Sequence, residues 1–228
     1  MSVYKRWVIV FCSMILLASV FAGCQQDEKR AESIYESLEK SARMEKDAID
    51  KQQDLHEAGL DEEAIYDKII ALDIDHKDQI KKQIEKARKE NIKRNQLLQE
   101  IKFSYDKGFE LSLAIKSKVD KIKDTKQKKQ ANVVVQLMDK RKEQFQSYYK
   151  QYNGLLKHNA DLYEQLQTKE IKATDLDKQI IEINRDYKEM EKQGKQFNSY
   201  TKQYNKAKAV YYQKSNLNER HIKRMKTT

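Results

Sequence analysis

Residues 174–212, TDLDKQIIEINRDYKEMEKQGKQFNSYTKQYNKAKAVYY, carry one apolar stripe at alternating steps of four and three. Leu176, Ile180, Ile183, Tyr187, Met190, Gly194, Phe197, Thr201, Tyr204, Lys208 and Tyr211 lie on it. That spacing keeps side chains on the face of a helix that winds against a neighbour, so it predicts a long helix with a coiled-coil-like seam. Thr174, followed three residues later by Asp177, resembles a capping box and sets the start of this helix.

The same pattern recurs upstream. Val134, Met138, Phe145, Tyr148, Tyr152, Leu155, Leu162 and Leu166 mark a second long helix. Ile80, Ile84, Ala87, Leu98, Ile101, Tyr105, Ile115, Val119 and Ile122 mark another, weakened in its middle by polar Asn91 and Arg94. The 228 residues contain no proline, the one residue that removes a helical hydrogen bond and clashes with the preceding turn, so little interrupts these helices. Turn-like breaks are expected at Glu57-Ala58-Gly59, at Asp73-Ile74-Asp75, at Lys123-Asp124-Thr125 and across residues 169–174, with a short helix over 61–72. Short connections make successive helices antiparallel neighbours. The expected fold is therefore all-α: an elongated antiparallel up-and-down helical bundle, coiled-coil-like, of about four long helices. A single extended helix or a parallel dimer would run its heptads without such interruptions.

Charged residues make up 36% of the chain and the formal net charge is +10, an excess that favours anionic partners: nucleic acid, lipid headgroups or the phosphate-rich polymers of a cell wall. The amino terminus narrows that choice. Lys5 and Arg6 precede an apolar run from Trp7 to Ala22, after which Gln25-Gln26-Asp27-Glu28-Lys29-Arg30 is abruptly polar. Crossing a bilayer as a helix takes roughly 20 residues, so this shorter run reads as a signal peptide rather than an uncleaved span. Phe21-Ala22-Gly23-Cys24 resembles the lipobox of bacterial lipoproteins, with small Ala22 and Gly23 where the peptidase approaches the backbone and Phe21 in place of the usual leucine. The resemblance implies a diacylglyceryl group on the Cys24 sulfur and cleavage before that residue. Cys12 would be discarded, leaving Cys24 alone and no internal disulfide, and loss of Lys5 and Arg6 would bring the charge to +8. Two or three acyl chains, a diacylglyceryl group with or without an N-acyl chain, make such attachment effectively permanent. The expected organisation is a signal peptide over 1–23, a lipidated Cys24 with a short polar tether to residue 30, and a helical bundle domain over 31–228.

Tyrosine is the enriched aromatic of the last two long helices. The adjacent pairs Tyr148/Tyr149 and Tyr211/Tyr212 are candidates for a surface contact, because neighbouring residues do not both face one core. Lys126, Lys128 and Lys129 are candidates for contact with wall phosphates or lipid headgroups, although a solvated helix face needs no function. Four scattered histidines and the Asp73-Asp75-His76-Asp78 group lack metal-ligand or calcium-loop spacing, so no metal site is expected. Ser37-Leu38-Glu39-Lys40, Ser147-Tyr148-Tyr149-Lys150 and Ser199-Tyr200-Thr201-Lys202 match S-x-x-K, but lysine is abundant and no companion K-T-G is present. No catalytic residues and no cofactor beyond the Cys24 lipid are expected.

A lipobox followed by some 200 residues of Lys-, Glu-, Gln- and Tyr-rich helix resembles the cell-wall binding lipoprotein family of Gram-positive bacilli and their relatives. Ala22-Gly23-Cys24 is the sharp motif, and the segment from Gln144 to Lys157 is the most suggestive of the rest. The resemblance implies lipid anchoring on the outer face of the cell membrane, at the membrane–wall interface, and a helical domain. It brings no binding residues with it. The expected partner is wall polymer, peptidoglycan or teichoic acid, and not nucleic acid. The competing expectation is a scaffold whose exposed heptad face recruits a membrane or secreted protein.

Overall fold

A computed structural model describes residues 3–72, 76–168 and 173–217, with side chains from Gln25 onward, those of Ile70, Thr168 and Ala173 excepted. Its elements are α1 (Val3–Ile70), α2 (Lys77–Leu113), α3 (Lys116–Val119), α4 (Thr125–Thr168) and α5 (Ala173–Lys214). Among the described residues there are four long helices and no strand. No described helix is long and apolar enough to cross a membrane.

The breaks differ from the expected ones in two places. α1 runs through Glu57-Ala58-Gly59 without ending, absorbing the short helix expected over 61–72. Among the described residues no glycine has the positive φ of a helix C-cap, and Ala58 and Glu62 are both buried, so continuing the helix keeps both against the core. The stripe expected to run from Ile80 to Ile122 is interrupted after Leu113. Ile115 N–H turns back to the Ser112 carbonyl at 3.4 Å, and the four-residue α3 follows. The expected turn at Lys123-Asp124-Thr125 is present, with the Asp124 carboxylate accepting the Gln127 N–H at 2.7 Å at the start of α4. α5 begins at Ala173, one residue ahead of Thr174. The turn expected at residues 73–75 lies outside the described residues.

The chain forms two compact units. Unit 1 comprises Met1–Lys40, Leu111–Asp139 and Lys202–Thr228; unit 2 comprises Ser41–Glu110 and Lys140–Thr201.

In unit 1, Ile34 and Leu38 of α1, Ile115 and Ile122 around α3, Val134 and Met138 of α4, and Tyr204 and Tyr211 of α5 are buried. Residues 27–30, read as part of a tether, belong to α1. The buried Asp27 carboxylate accepts the backbone N–H groups of Lys123 at 2.9 Å and Asp124 at 2.8 Å, and pairs with Arg30 at 2.7 Å. Lys118 donates to the Ser33 carbonyl at 3.2 Å and to Ser37 Oγ at 3.0 Å, while Ser37 donates to Ser33, so this serine and lysine serve as helix and loop contacts.

Unit 2 runs up, down, up and down. Gln52 meets Tyr105 and Glu62 meets Arg94 between α1 and α2. Arg94 meets Tyr152 and Arg88 meets Gln167 between α2 and α4. Gln151 meets Asp186 and Gln165 meets Gln179 between α4 and α5. At one level Tyr105, Phe109, Phe145 and Phe197 form a ring cluster with centroids 4.6–5.9 Å apart. Tilted and edge-on packing of this kind adds to the burial energy of large rings.

Candidate functional site

The gaps in the apolar stripes hold the polar groups that matter. On α2 the positions 84, 87, 91, 94, 98, 101 and 105 form one unbroken three-four series, with Asn91 and Arg94 in the middle of it. On α4 the series 138, 141, 145, 148, 152, 155, 159, 162 contains Arg141 and Asn159, and on α1 the series 41, 45, 48, 52, 55, 59, 62 contains Ser41, Glu45 and Glu62. All seven of these polar residues are buried in unit 2. A buried ion is costly unless paired and hydrogen-bonded; Asn91 donates to the Leu156 carbonyl at 2.9 Å, and the other six bond within two networks.

Two networks result. Arg141 grips Glu45 through two contacts, at 2.9 and 2.7 Å, donates from Nε to Thr201 Oγ1 at 2.8 Å, and lies 5.1–5.5 Å from the ring centroids of Tyr105, Phe109 and Phe197. Ser41 donates to the Gly108 carbonyl at 2.8 Å and to Glu45. A side chain at Gly108 would put its Cβ 2.6 Å from Glu45 Cγ, so the close approach of α1 and α2 here requires glycine.

The second network centres on Arg94 and Glu62, 1% and 2% exposed. Arg94 bonds Glu62, donates from Nη2 to the Tyr152 hydroxyl at 3.0 Å, and donates from Nη1 to the Tyr187 hydroxyl at 3.2 Å. Glu62 Oε1 also accepts from the Tyr163 hydroxyl at 2.7 Å and from Asn159 at 3.2 Å. Burial works against the Arg94 charge, but the Tyr152 and Tyr187 hydroxyls and the Glu62 carboxylate outweigh it, so the guanidinium holds its proton more firmly than in water. Burial, reinforced by Glu62, pushes the Tyr163 hydroxyl pKa up.

Above this floor unit 2 opens into a cleft of about 500 Å³. Its cause lies in α5: none of residues 174–196 is buried, and the seam residues Ile180, Ile183 and Met190 are half-buried, so this stretch rests lightly on the other helices. Leu55, Gly59 and Leu162 face these three across the opening, and Tyr187, 36% exposed, carries its hydroxyl from the rim to Arg94. The result is a cleft with a fixed Arg94–Glu62 floor, apolar residues on its walls and His56, Glu63, Asp67 and Asn184 also in its lining, within the size range of sites that bind small ligands.

The residues singled out in the sequence are distributed differently. Tyr148 and Tyr149 are half-buried in unit 2; Tyr148 packs on Tyr152 at 5.8 Å, and Tyr149 donates to Gln99 at 2.9 Å. Tyr211 and Tyr212 offer no surface contact, contrary to expectation. Both are buried in unit 1, because Tyr35 and Glu39 of α1 cover Tyr212, whose hydroxyl donates to Glu39 at 2.7 Å. Lys126 and Lys129 are exposed in unit 1, and Lys128 donates to the Asp120 carbonyl at 2.7 Å. The side chains of Phe21, Ala22, Gly23 and Cys24 lie outside the described residues. Among the described residues no group of three or more His, Cys, Asp or Glu is placed to hold a metal ion.

Long antiparallel helices with buried ion pairs define an all-α bundle protein, a class that hosts many functions. Comparison with known proteins is more specific. The chain belongs to the family described as "Putative cell-wall binding lipoprotein", whose model matches residues 29–214. It is 32% identical over 202 residues to the uncharacterized lipoprotein YkyA of Bacillus subtilis (strain 168), covering 89% of each chain. It also shares its fold with a crystal structure of a conserved Staphylococcus aureus protein of unknown function, at a TM-score of 0.65 and 12% identity over 81% of this chain and 93% of that one.

Proposed function

We propose that this lipoprotein is a non-catalytic binding module, anchored through a lipid on Cys24 to the outer face of the cell membrane, whose helical domain engages cell-wall polymer. One observation carries the reading: the open cleft of unit 2 is ligand-sized, and the Arg94–Glu62 network at its floor is already committed to internal hydrogen bonds. Glu62 accepts from three side chains, so it serves as a fixed part of the floor rather than as a base waiting for substrate. Apolar walls and a rim tyrosine suit the flat, hydrogen-bearing face of a sugar ring. The family description supports a wall partner. The exposed lysines would add a salt-sensitive contribution from anionic polymer.

The test is retention of the protein on isolated cell walls. Asn184 is an exposed residue of the cleft lining, and Asn184→Trp should lower retention at every ionic strength, whereas Lys150→Gln/Lys157→Gln, two exposed lysines of unit 2, should lower only the part lost at high salt. Retention no better than that of a helical protein of equal charge would contradict the reading. A second reading is a scaffold for a membrane or secreted protein. Crosslinking that recovers one stoichiometric protein and no polymer would support it.

A further inference from the structure

We propose that the end of unit 1 next to Cys24 is a docking surface for the anionic headgroups of membrane phospholipids. The proposal rests on the lipidated Cys24 of the preceding section and adds to it a second, electrostatic contact.

Cys24 lies three positions before Asp27 on α1, about 4.5 Å of helix rise. Asp27 is 5% exposed and pinned by the Lys123 and Asp124 N–H groups, so the loop leading into α4 is fixed to α1 within one turn of the proposed lipid. No flexible tether intervenes. A diacylglyceryl group on the Cys24 sulfur sets its glycerol at headgroup level, which brings this loop to within roughly a Debye length, about 8 Å, of the phosphates.

The segment that arrives there is strongly basic. Residues 116–129 hold seven lysines and two aspartates. Lys116 pairs with Asp139, Lys118 bonds Ser33 and Ser37, and Lys128 bonds the Asp120 carbonyl. Lys121, Lys123, Lys126 and Lys129 are exposed. Of the acids nearby, Asp27 is internally paired, Asp124 caps α4, and Glu28 and Asp120 are exposed. A lysine-rich surface held at a bilayer attracts anionic lipid in preference to zwitterionic lipid. Wall polymer is also anionic, but the headgroups are the surface that a tether this short keeps within reach.

The full-length protein, purified from membranes, is reconstituted into vesicles of phosphatidylglycerol and phosphatidylcholine in equal parts, or of phosphatidylcholine alone, and its lysines are modified with a membrane-impermeant amine reagent. Peptide mass analysis should show modification of Lys121, Lys123, Lys126 and Lys129 slowed about fivefold or more by phosphatidylglycerol, the factor that corresponds to about 1 kcal/mol per lysine near an anionic surface. Equal reactivity of the four lysines in both vesicles overturns the proposal. The intact mass of the same sample separates this from the anchor: phosphatidylglycerol-dependent protection without lipid on Cys24 upholds the surface and refutes the anchor, while a lipidated chain without protection refutes the surface alone.

Discussion

Arg94 of α2 and Glu62 of α1 form an ion pair whose side chains are only 2% and 3% exposed, closed over by Tyr152, Tyr163 and Asn159. Removing one member of such a pair strands the other charge in a low-dielectric interior, at a typical cost of about 3–5 kcal/mol. Arg94→Met should therefore lower the urea midpoint of unfolding sharply. The double variant Arg94→Met/Glu62→Leu should recover part of the loss, since no lone charge remains. A double variant as unstable as the sum of the two single ones would contradict this account of the core.

Two glycines on facing helices should respond in opposite directions to the same change. At Gly59 an added Cβ meets nothing closer than Arg94 Nε at 3.9 Å, so Gly59→Ala should gain about 0.5–1 kcal/mol from helix propensity. At Gly108 the Cβ would collide with Glu45, which Arg141 and Ser41 hold in place. Gly108→Ala should cost about 1–3 kcal/mol, the penalty of a disturbed buried charged hydrogen bond. Thermal melting of the two variants decides the matter.

Asp27 should make stability acid-sensitive. Burial alone would raise its pKa, but the Asp124 N–H, the Arg30 guanidinium and the Lys123 N–H more than reverse this and hold it below the ordinary carboxylate range. The folded chain therefore binds this proton more weakly than the unfolded one. The contribution is complete above the ordinary Asp pKa of about 3.9 and is lost as the pH falls through the depressed folded value. Asp27→Asn should destabilise the protein at pH 7 by about 1.5–3 kcal/mol, and the difference from wild type should shrink on acidification. A difference that is constant down to pH 3 would contradict this.

The buried tyrosines should have the opposite sensitivity. Burial first, and then Glu39 beside Tyr212 and Glu62 beside Tyr163, push both hydroxyls above the ordinary range. The folded state keeps these protons when the unfolded chain would lose them, so stability is intact below the ordinary Tyr pKa of about 10 and falls as the pH rises beyond it. Tyrosinate absorbance from these residues should rise together with the loss of helical circular dichroism, not before it.

Most of the helical architecture was legible because proline is absent and the three-four spacing is long and regular. What the stripes did not reveal is why they are broken. Asn91 and Arg94 read as weak points of α2, and the apolar stripe of α4 passes over Arg141 and Asn159, yet each lies in register on its seam and is buried. The signal was present: a polar residue at a seam position on one helix, matched by an opposite charge at a seam position on another. Spacing within one helix cannot show which helix supplies the match, because that depends on register between segments far apart in sequence. Gly59 misled for a related reason. It has the composition of a helix stop, but its small side lies beside Arg94, where tertiary packing decides the conformation. Tyr211 and Tyr212 are both buried, with Tyr35 and Glu39 of α1 against Tyr212, which adjacency in sequence does not disclose.

The attachment of Cys24 is tested most directly by the intact mass of the membrane-fraction protein beside its Cys24→Ala variant. The expected result is a chain that starts at Cys24 and carries the added mass of a diacylglyceryl group, with or without an N-acyl chain, and loses it in the variant. An unmodified mass that retains Met1 would contradict the account of a lipid-anchored module.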